Sequence, residues 1–152
     1  YEKYKLKYNI IRFFNVYGPN QRDDFVISKF KKNISENKTI KIFGSGNQIQ
    51  SWIHINDLSR IFLFIMQKKI EGNYNAVSNN NLTNLEFTRT ISSNYSRAIF
   101  NIKIPKIFFS LIFGEMHEIL FKSHNISSRK IQNLGFGFKF ENLDYAVKNL
   151  IG

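Results

Sequence analysis

The sequence predicts an α/β fold, and three observations carry that prediction. Short apolar runs of strand length alternate with stretches whose apolar residues recur every three or four positions. Clusters of Gly, Pro and Asn separate the two kinds of stretch. No internal repeat or long linker interrupts them, although the second half is mainly helical.

Residues 1–8 alternate aromatic side chains with lysines and read as a loop or the last turns of a helix. Residues 9–16 (NIIRFFNV) form an apolar run of strand length, stopped by the turn-forming Tyr17-Gly18-Pro19-Asn20. Residues 25–34 place Phe25, Ile27, Phe30 and Ile34 near helical spacing, with Asp23 or Asp24 expected to cap the start. Residues 38–43 are a short strand, and Gly44-Ser45-Gly46-Asn47 is expected to turn it as a hairpin into a second strand, residues 50–55. There Trp52 and His54 face one side, Ile53 and Ile55 the other.

Asn56 is the expected N-cap of a helix over residues 57–68, with Asp57 in its first turn and Lys68-Lys69 at its end, both favourable to the helix dipole. Residues 74–77 follow Gly72 as a strand. Thr83 and Glu86 have capping-box spacing and open a helix toward Asn94. Residues 99–104 are expected to be extended, because Pro105 disfavours helix before it. From Pro105, Phe108, Leu111, Ile112, Met116, Ile119 and Leu120 recur as one face of an amphipathic helix. Ser127 or Ser128 caps a short helix ended by Gly135. Asn142 caps a last one, with Leu143, Ala146, Val147 and Leu150 as its inner face.

Composition narrows the function. With 43% apolar and 16% aromatic residues, disorder is excluded. The absence of cysteine removes disulfides, zinc–thiolate sites and thiol nucleophiles, and fits a cytoplasmic location. A net charge of +11 raises a nucleic-acid-binding module as one hypothesis. Yet Ile, Asn, Lys and Phe make up 73 of the 152 residues, the signature of AT-rich codons, and the basic residues form no dense block, which argues against nucleic acid. The longest apolar run, residues 61–66, is far short of the roughly 20 residues a membrane helix needs, so a soluble protein with no membrane segment and no membrane partner is expected.

Few motifs carry chemistry. Gly44-Ser45-Gly46 lacks the third glycine of a dinucleotide fingerprint. Tyr1 and Lys5 have the spacing of a tyrosine-lysine acid/base pair, but the surrounding tyrosines and lysines generate that spacing by chance. His54, His117 and His124 lack the helical spacing of a metal pair, and no metal is expected, nor is a catalytic residue assigned.

The order NVYGPNQ (15–21), a basic helix, IKIFGSGNQ (40–48) and SWIHINDL (51–58) resembles the later part of extended short-chain dehydrogenases/reductases, the NAD-dependent epimerase/dehydratase superfamily. SWIHINDLSRIFLFIM, YNAVSNNNLTNLEFTR and GEMHEILFKSHNISSRKIQNLGFGFKFENLDYAVKNL are similar to an epimerase-like family labelled sugar-nucleotide epimerases, which ends in a small domain of unknown function. That resemblance implies the C-terminal part of a Rossmann-like doubly wound protein plus a small, mainly helical C-terminal region. The expected division is 1–98 for the end of the Rossmann-like domain and 99–152 for the domain of unknown function.

By resemblance, Asn15, Val16, Tyr17 and Gly18 form the turn that approaches an NAD or NADP nicotinamide, and Trp52 and His54 are substrate-side candidates. In sugar-nucleotide epimerases an arginine that holds the nucleotide diphosphate usually begins the strand before the acidic pair. Here Gln50 and Ser51 stand there, and a neutral amide makes no charge-assisted bidentate contact. Asn56-Asp57 match the acidic pair with one acid lost, which suits a helix cap. The family's glycine fingerprint and catalytic tyrosine-lysine pair precede the strand at residues 9–16, so the chain is expected to need a missing N-terminal Rossmann half as partner, with a small-molecule substrate. An alternative is a non-catalytic remnant, or a subunit pairing with a separate Rossmann half.

Overall fold

The computed structural model describes residues 7–43, 45–79, 82–95, 99–102, 123 and 125–151. The amphipathic helix expected from Pro105 lies outside the described residues, as do Tyr1, Lys5, His117 and His124. Strands and helices alternate as the apolar periodicity predicts.

The apolar run after Tyr8 forms two strands, β1 (Asn9–Phe13) and β2 (Asn15–Tyr17). It changes partner at Phe14, because both the backbone N–H and the side-chain amide of Asn15 donate to the Ser51 carbonyl, each at 3.2 Å. Helix α1 (Val26–Ser35) leads to β3 (Ile40–Phe43), then β4 (Ile49–Gln50) and β5 (Trp52–His54). Helix α2 (Ile55–Lys68) carries the chain from β5 to β6 (Gly72–Ala76). The rest is β7 (Leu82–Thr83), α3 (Asn84–Asn94), β8 (Ile99–Ile102), α4 (Arg129–Gln132) and α5 (Leu143–Ile151).

Among the described residues β1 pairs with β6, β2 with β5 and β3 with β8, all parallel, while β4 and β7 pair antiparallel. Parallel pairs need long connections, and α2 is the helical link from β5 to β6, which pair with the successive strands β2 and β1.

Several local expectations hold. Thr83 Oγ1 accepts the Glu86 backbone N–H at 3.1 Å, and the Glu86 carboxylate accepts the Thr83 backbone N–H at 2.8 Å, a complete capping box. Asn142 Oδ1 accepts the Tyr145 N–H at 3.0 Å and so caps α5.

Others are corrected. The glycine-rich turn is not a hairpin, since β3 and β4 pair with different strands. Gly46, at φ +73°, instead receives α3: its carbonyl accepts the Leu85 N–H at 2.9 Å, and a Cβ there would stand 2.9 Å from the Leu85 Cβ. Asp24 does not cap α1, because its carboxylate is held by Arg22 at 2.7 and 3.1 Å; Phe25 is the cap residue and supplies no side-chain bond. Ile55 leaves the strand to open α2, and His54 rather than Asn56 caps it.

Two apolar clusters result. The first joins Tyr17, Ile27, Phe30, Ile34, Ile40, Phe87 and Ile91 to Phe140, Ala146, Val147 and Leu150. The second joins Ile53, Leu58, Ile61 and Ile65 to Tyr74, Ala76, Ile131 and Phe136. Both therefore draw on residues after 128, so the C-terminal elements are built into the core. No helix among the described residues is long and apolar enough to cross a membrane.

Candidate functional site

Ligands of parallel α/β sheets sit outside the carboxyl ends of the strands. The parallel register Asn15↔Trp52, Val16↔Ile53 and Tyr17↔His54 brings the two sets of sequence-predicted residues to one such edge. Gly18 continues from it. A Cβ at Gly18 would fall 2.3 Å from the Ile55 Cγ2, so the turn after β2 is pressed against the first turn of α2.

Tyr17 is the hub of an aromatic group. Its ring meets Trp52, His54 and Phe87 edge-on at centroid distances of 6.2, 5.3 and 5.7 Å. Trp52 stacks on Phe87 at 4.3 Å, and His54 stacks on Phe140 at 3.8 Å. Burial, and secondarily the charge of Asp57, raises the Tyr17 pKa beyond the ordinary phenol range, so the hydroxyl stays protonated.

His54 is 1% exposed. Its Nδ1 accepts the Asn56 backbone N–H at 3.3 Å, which places the proton of the neutral ring on Nε2. Nε2 is buried without a hydrogen bond of normal geometry, although the Asn149 side chain and the Asp57 charge both favour the protonated ring. Burial outweighs them and lowers the His54 pKa below 6.5. The ring is thus a neutral cap packed between Tyr17 and Phe140.

At the open side, Asn15 Nδ2 donates to Gln50 Oε1 at 3.1 Å, a neutral amide pair across the strands. Gln21 Nε2 donates to the Val16 carbonyl at 2.8 Å, leaving Gln21 Oε1 buried without a partner. Among the described residues, the polar side chains named at this edge, Asn15, Gln21 and Gln50, are neutral amides beside buried aromatic rings.

Asp57 does what sequence reasoning missed. Its side chain is 1% exposed, and its carboxylate accepts the Phe140 N–H at 2.8 Å and the Lys139 N–H at 3.0 and 3.1 Å. Arg60 adds a 2.6 Å ion pair to the same carboxylate and donates to the Gly137 carbonyl at 2.9 Å. Asp57 and Arg60 at i,i+3 on one helix face were the available signal; the partner segment left none.

The described residues do not by themselves fit a dinucleotide. No glycine fingerprint occurs in the 152 residues, the Tyr17 and His54 rings are buried, and the Asn15 amide is engaged. No catalytic step is assigned to them. Among the described residues, no three His, Asp or Glu side chains gather as a metal site.

Comparison with known proteins gives the context. Residues 1–77 match the profile of the NAD dependent epimerase/dehydratase family, and residues 104–150 match a domain of unknown function (DUF1731). An epimerase family protein of Staphylococcus aureus (strain MRSA252) is 33% identical over 113 residues, covering 71% of this chain and 36% of the relative. A UDP-glucuronate 4-epimerase of Thermodesulfobacterium geofontis is 46% identical over 57 residues, 38% of this chain and 18% of its own length.

Among solved structures, the human epimerase family protein SDR39U1 (isoform 2) with NADPH superposes with a TM-score of 0.78 at 24% identity, covering 93% of this chain and 47% of that one. The dTDP-glucose 4,6-dehydratase of Bacillus anthracis with NAD gives 0.74 at 23% identity, covering 97% and 46%. The chain spans from about a third to about half the length of these two structures and the Staphylococcus relative. The likeness confirms the Rossmann-type α/β fold. Motif order and family profile agree, and the chain belongs to the NAD dependent epimerase/dehydratase family.

Proposed function

We propose that this chain supplies the substrate-side wall and C-terminal region of an NAD(P)-dependent epimerase- or reductase-like protein, and that a Rossmann half carrying the glycine fingerprint and the tyrosine-lysine pair is its necessary partner. The observation that carries this reading is the register that sets Asn15, Val16, Tyr17 and Gly18 beside Trp52 and His54 on adjacent parallel strands. In that assembly the turn Asn15–Gly18 would border the cofactor site of the Rossmann half, and NAD or NADP bound there would supply the hydride chemistry. This chain's own residues shape and dry the wall: Tyr17, Trp52 and Phe87 exclude water, and the Asn15–Gln50 pair presents uncharged hydrogen-bonding groups. A substrate without a nucleotide diphosphate follows from that neutrality.

The reading frame preceding Tyr1 provides the first test: it should encode the fingerprint and a Tyr-x-x-x-Lys pair. The second is NADPH titration of this chain alone and of the chain joined to such a half. Submillimolar affinity only in the joined form supports the reading, and tight binding by the chain alone would sink it. A non-catalytic subunit is the rival; it predicts a stable joined complex without cofactor turnover on any sugar or carbonyl substrate.

A further inference from the structure

Strand β1 has two edges and one partner. Among the described residues it pairs with β6 alone, in a parallel register that runs from Asn9↔Gly72 to Phe13↔Ala76. The Gly72 N–H donates to the Tyr8 carbonyl at 3.3 Å, and backbone direction alternates along a strand. Tyr8, Ile10 and Arg12 therefore turn their N–H and C=O groups toward β6. Asn9, Ile11 and Phe13 turn theirs to the other side, where no described strand lies.

The outer edge of β6 is closed by contrast. The same alternation points the Asn73 backbone outward, and Lys130 Nζ donates to that carbonyl at 2.9 Å while standing 4.6 Å from the centre of the Tyr74 ring. Beside it the Asn75 side-chain amide donates to the Ser127 carbonyl at 3.2 Å. Helix α4 and the segment before it thus cover this edge, one of the ways a sheet is ended. Strand β1 has no such cover, no proline and a single charge, Arg12. Ile10 is 43% exposed and Phe13 54%, on opposite faces of the strand. A strand that is apolar on both faces suits the interior of a parallel sheet, with helices above and below it. The match to the human NADPH-bound structure takes in 93% of this chain and 47% of that one, so just over half of that α/β fold has no counterpart here.

We infer that the Rossmann half, on whose existence as proposed above this rests, joins the chain by strand addition: one of its strands runs parallel to β1 and takes up the outward backbone groups of Asn9, Ile11 and Phe13. Main-chain hydrogen bonds hold the two halves together, and Ile10 and Phe13 give each face of the joint an apolar contact.

Amide hydrogen exchange followed by NMR tests this on the full chain, alone and with the Rossmann half supplied as a separate polypeptide. Alone, the Ile10 and Arg12 amides should be protected while those of Ile11 and Phe13 exchange freely, and adding the half should protect all four. Asn9→Pro deletes one outward N–H at the first residue of a strand, where proline is tolerated, and should weaken association about fivefold, the worth of one backbone hydrogen bond. Asn9→Ala keeps that N–H and should leave the affinity unchanged. A half that binds and holds NADPH while Ile11 and Phe13 stay unprotected would overturn the strand addition and leave the proposed function standing. Protection of both without NADPH binding would uphold the strand addition and sink the cofactor reading. Equal affinities of the two Asn9 variants, or no association at all, would overturn the inference. So would protection of Ile11 and Phe13 that appears in the chain alone and grows with its concentration, which would assign the edge to a second copy.

Discussion

The Asp57 carboxylate accepts the backbone N–H of Phe140 at 2.8 Å across 83 residues of sequence, and the ring of the same Phe140 stacks on His54, the cap of the helix that carries Asp57. Backbone donor and side-chain ring thus clasp one helix start from two sides.

Breaking the clasp should be costly. Asp57→Asn leaves the Lys139 and Phe140 N–H groups facing an amide that accepts through one atom only, and a loss of about 2–4 kcal/mol is expected. Arg60→Ala should cost under about 1 kcal/mol, because its side chain is 43% exposed. Urea denaturation of the two variants distinguishes them; equal losses would contradict the view that the backbone bonds dominate.

His54 makes stability depend on pH. Its folded pKa lies below 6.5, so the unfolded chain binds the proton more readily. The contribution is fully present above pH 6.5 and is lost as pH falls from there through the folded value. His54→Asn keeps an acceptor for the Asn56 N–H and removes the titration. Thermal melts of both proteins from neutral to mildly acidic pH should show a steeper decline in the parent, and parallel curves would refute the assignment.

Gly18 should tolerate no side chain while Ile55 stays. Gly18→Ala puts a methyl 2.3 Å from the Ile55 Cγ2 and should cost about 1–3 kcal/mol. Ile55→Ala alone should cost little at 37% exposure, and in the double variant most of the loss should return. A double-mutant cycle without coupling would show that the clash is relieved elsewhere.

The capping box gives a smaller, local expectation. Thr83→Ala removes the acceptor of the Glu86 N–H and should destabilise by about 1 kcal/mol. The Thr83 backbone N–H and hydroxyl also hold the Glu86 carboxyl below the usual range, so the glutamate pKa should rise in the variant, which carboxyl NMR titration measures directly.

What was legible in the sequence is what local pattern encodes. The Thr83 box, the Asn142 cap and the Ala146, Val147 and Leu150 face all follow from spacing within one element. The motif order set the family and brought Asn15–Gly18 and Trp52–His54 into view. The misses share a cause: they depend on partners distant in sequence. A left-handed Gly46 looks the same in a hairpin as in a turn that receives α3, and only Leu85 decides. His54 is a rare cap, because imidazole must be neutral to accept, and the burial that keeps it so comes from Phe140. No local pattern says that the acid of α2 binds Lys139 and Phe140.

The first core cluster has a consequence for synthesis on the ribosome. Tyr17, Ile27, Phe30 and Ile34 are translated well before Phe140, Ala146, Val147 and Leu150, which cover them, and Lys31 Nζ donates to the Leu150 carbonyl at 2.6 Å. Until residue 150 has been made, those early apolar side chains lack their native shelter and stand exposed to aggregation and to chaperones. A nascent chain arrested before residue 140 therefore leaves this cluster uncovered.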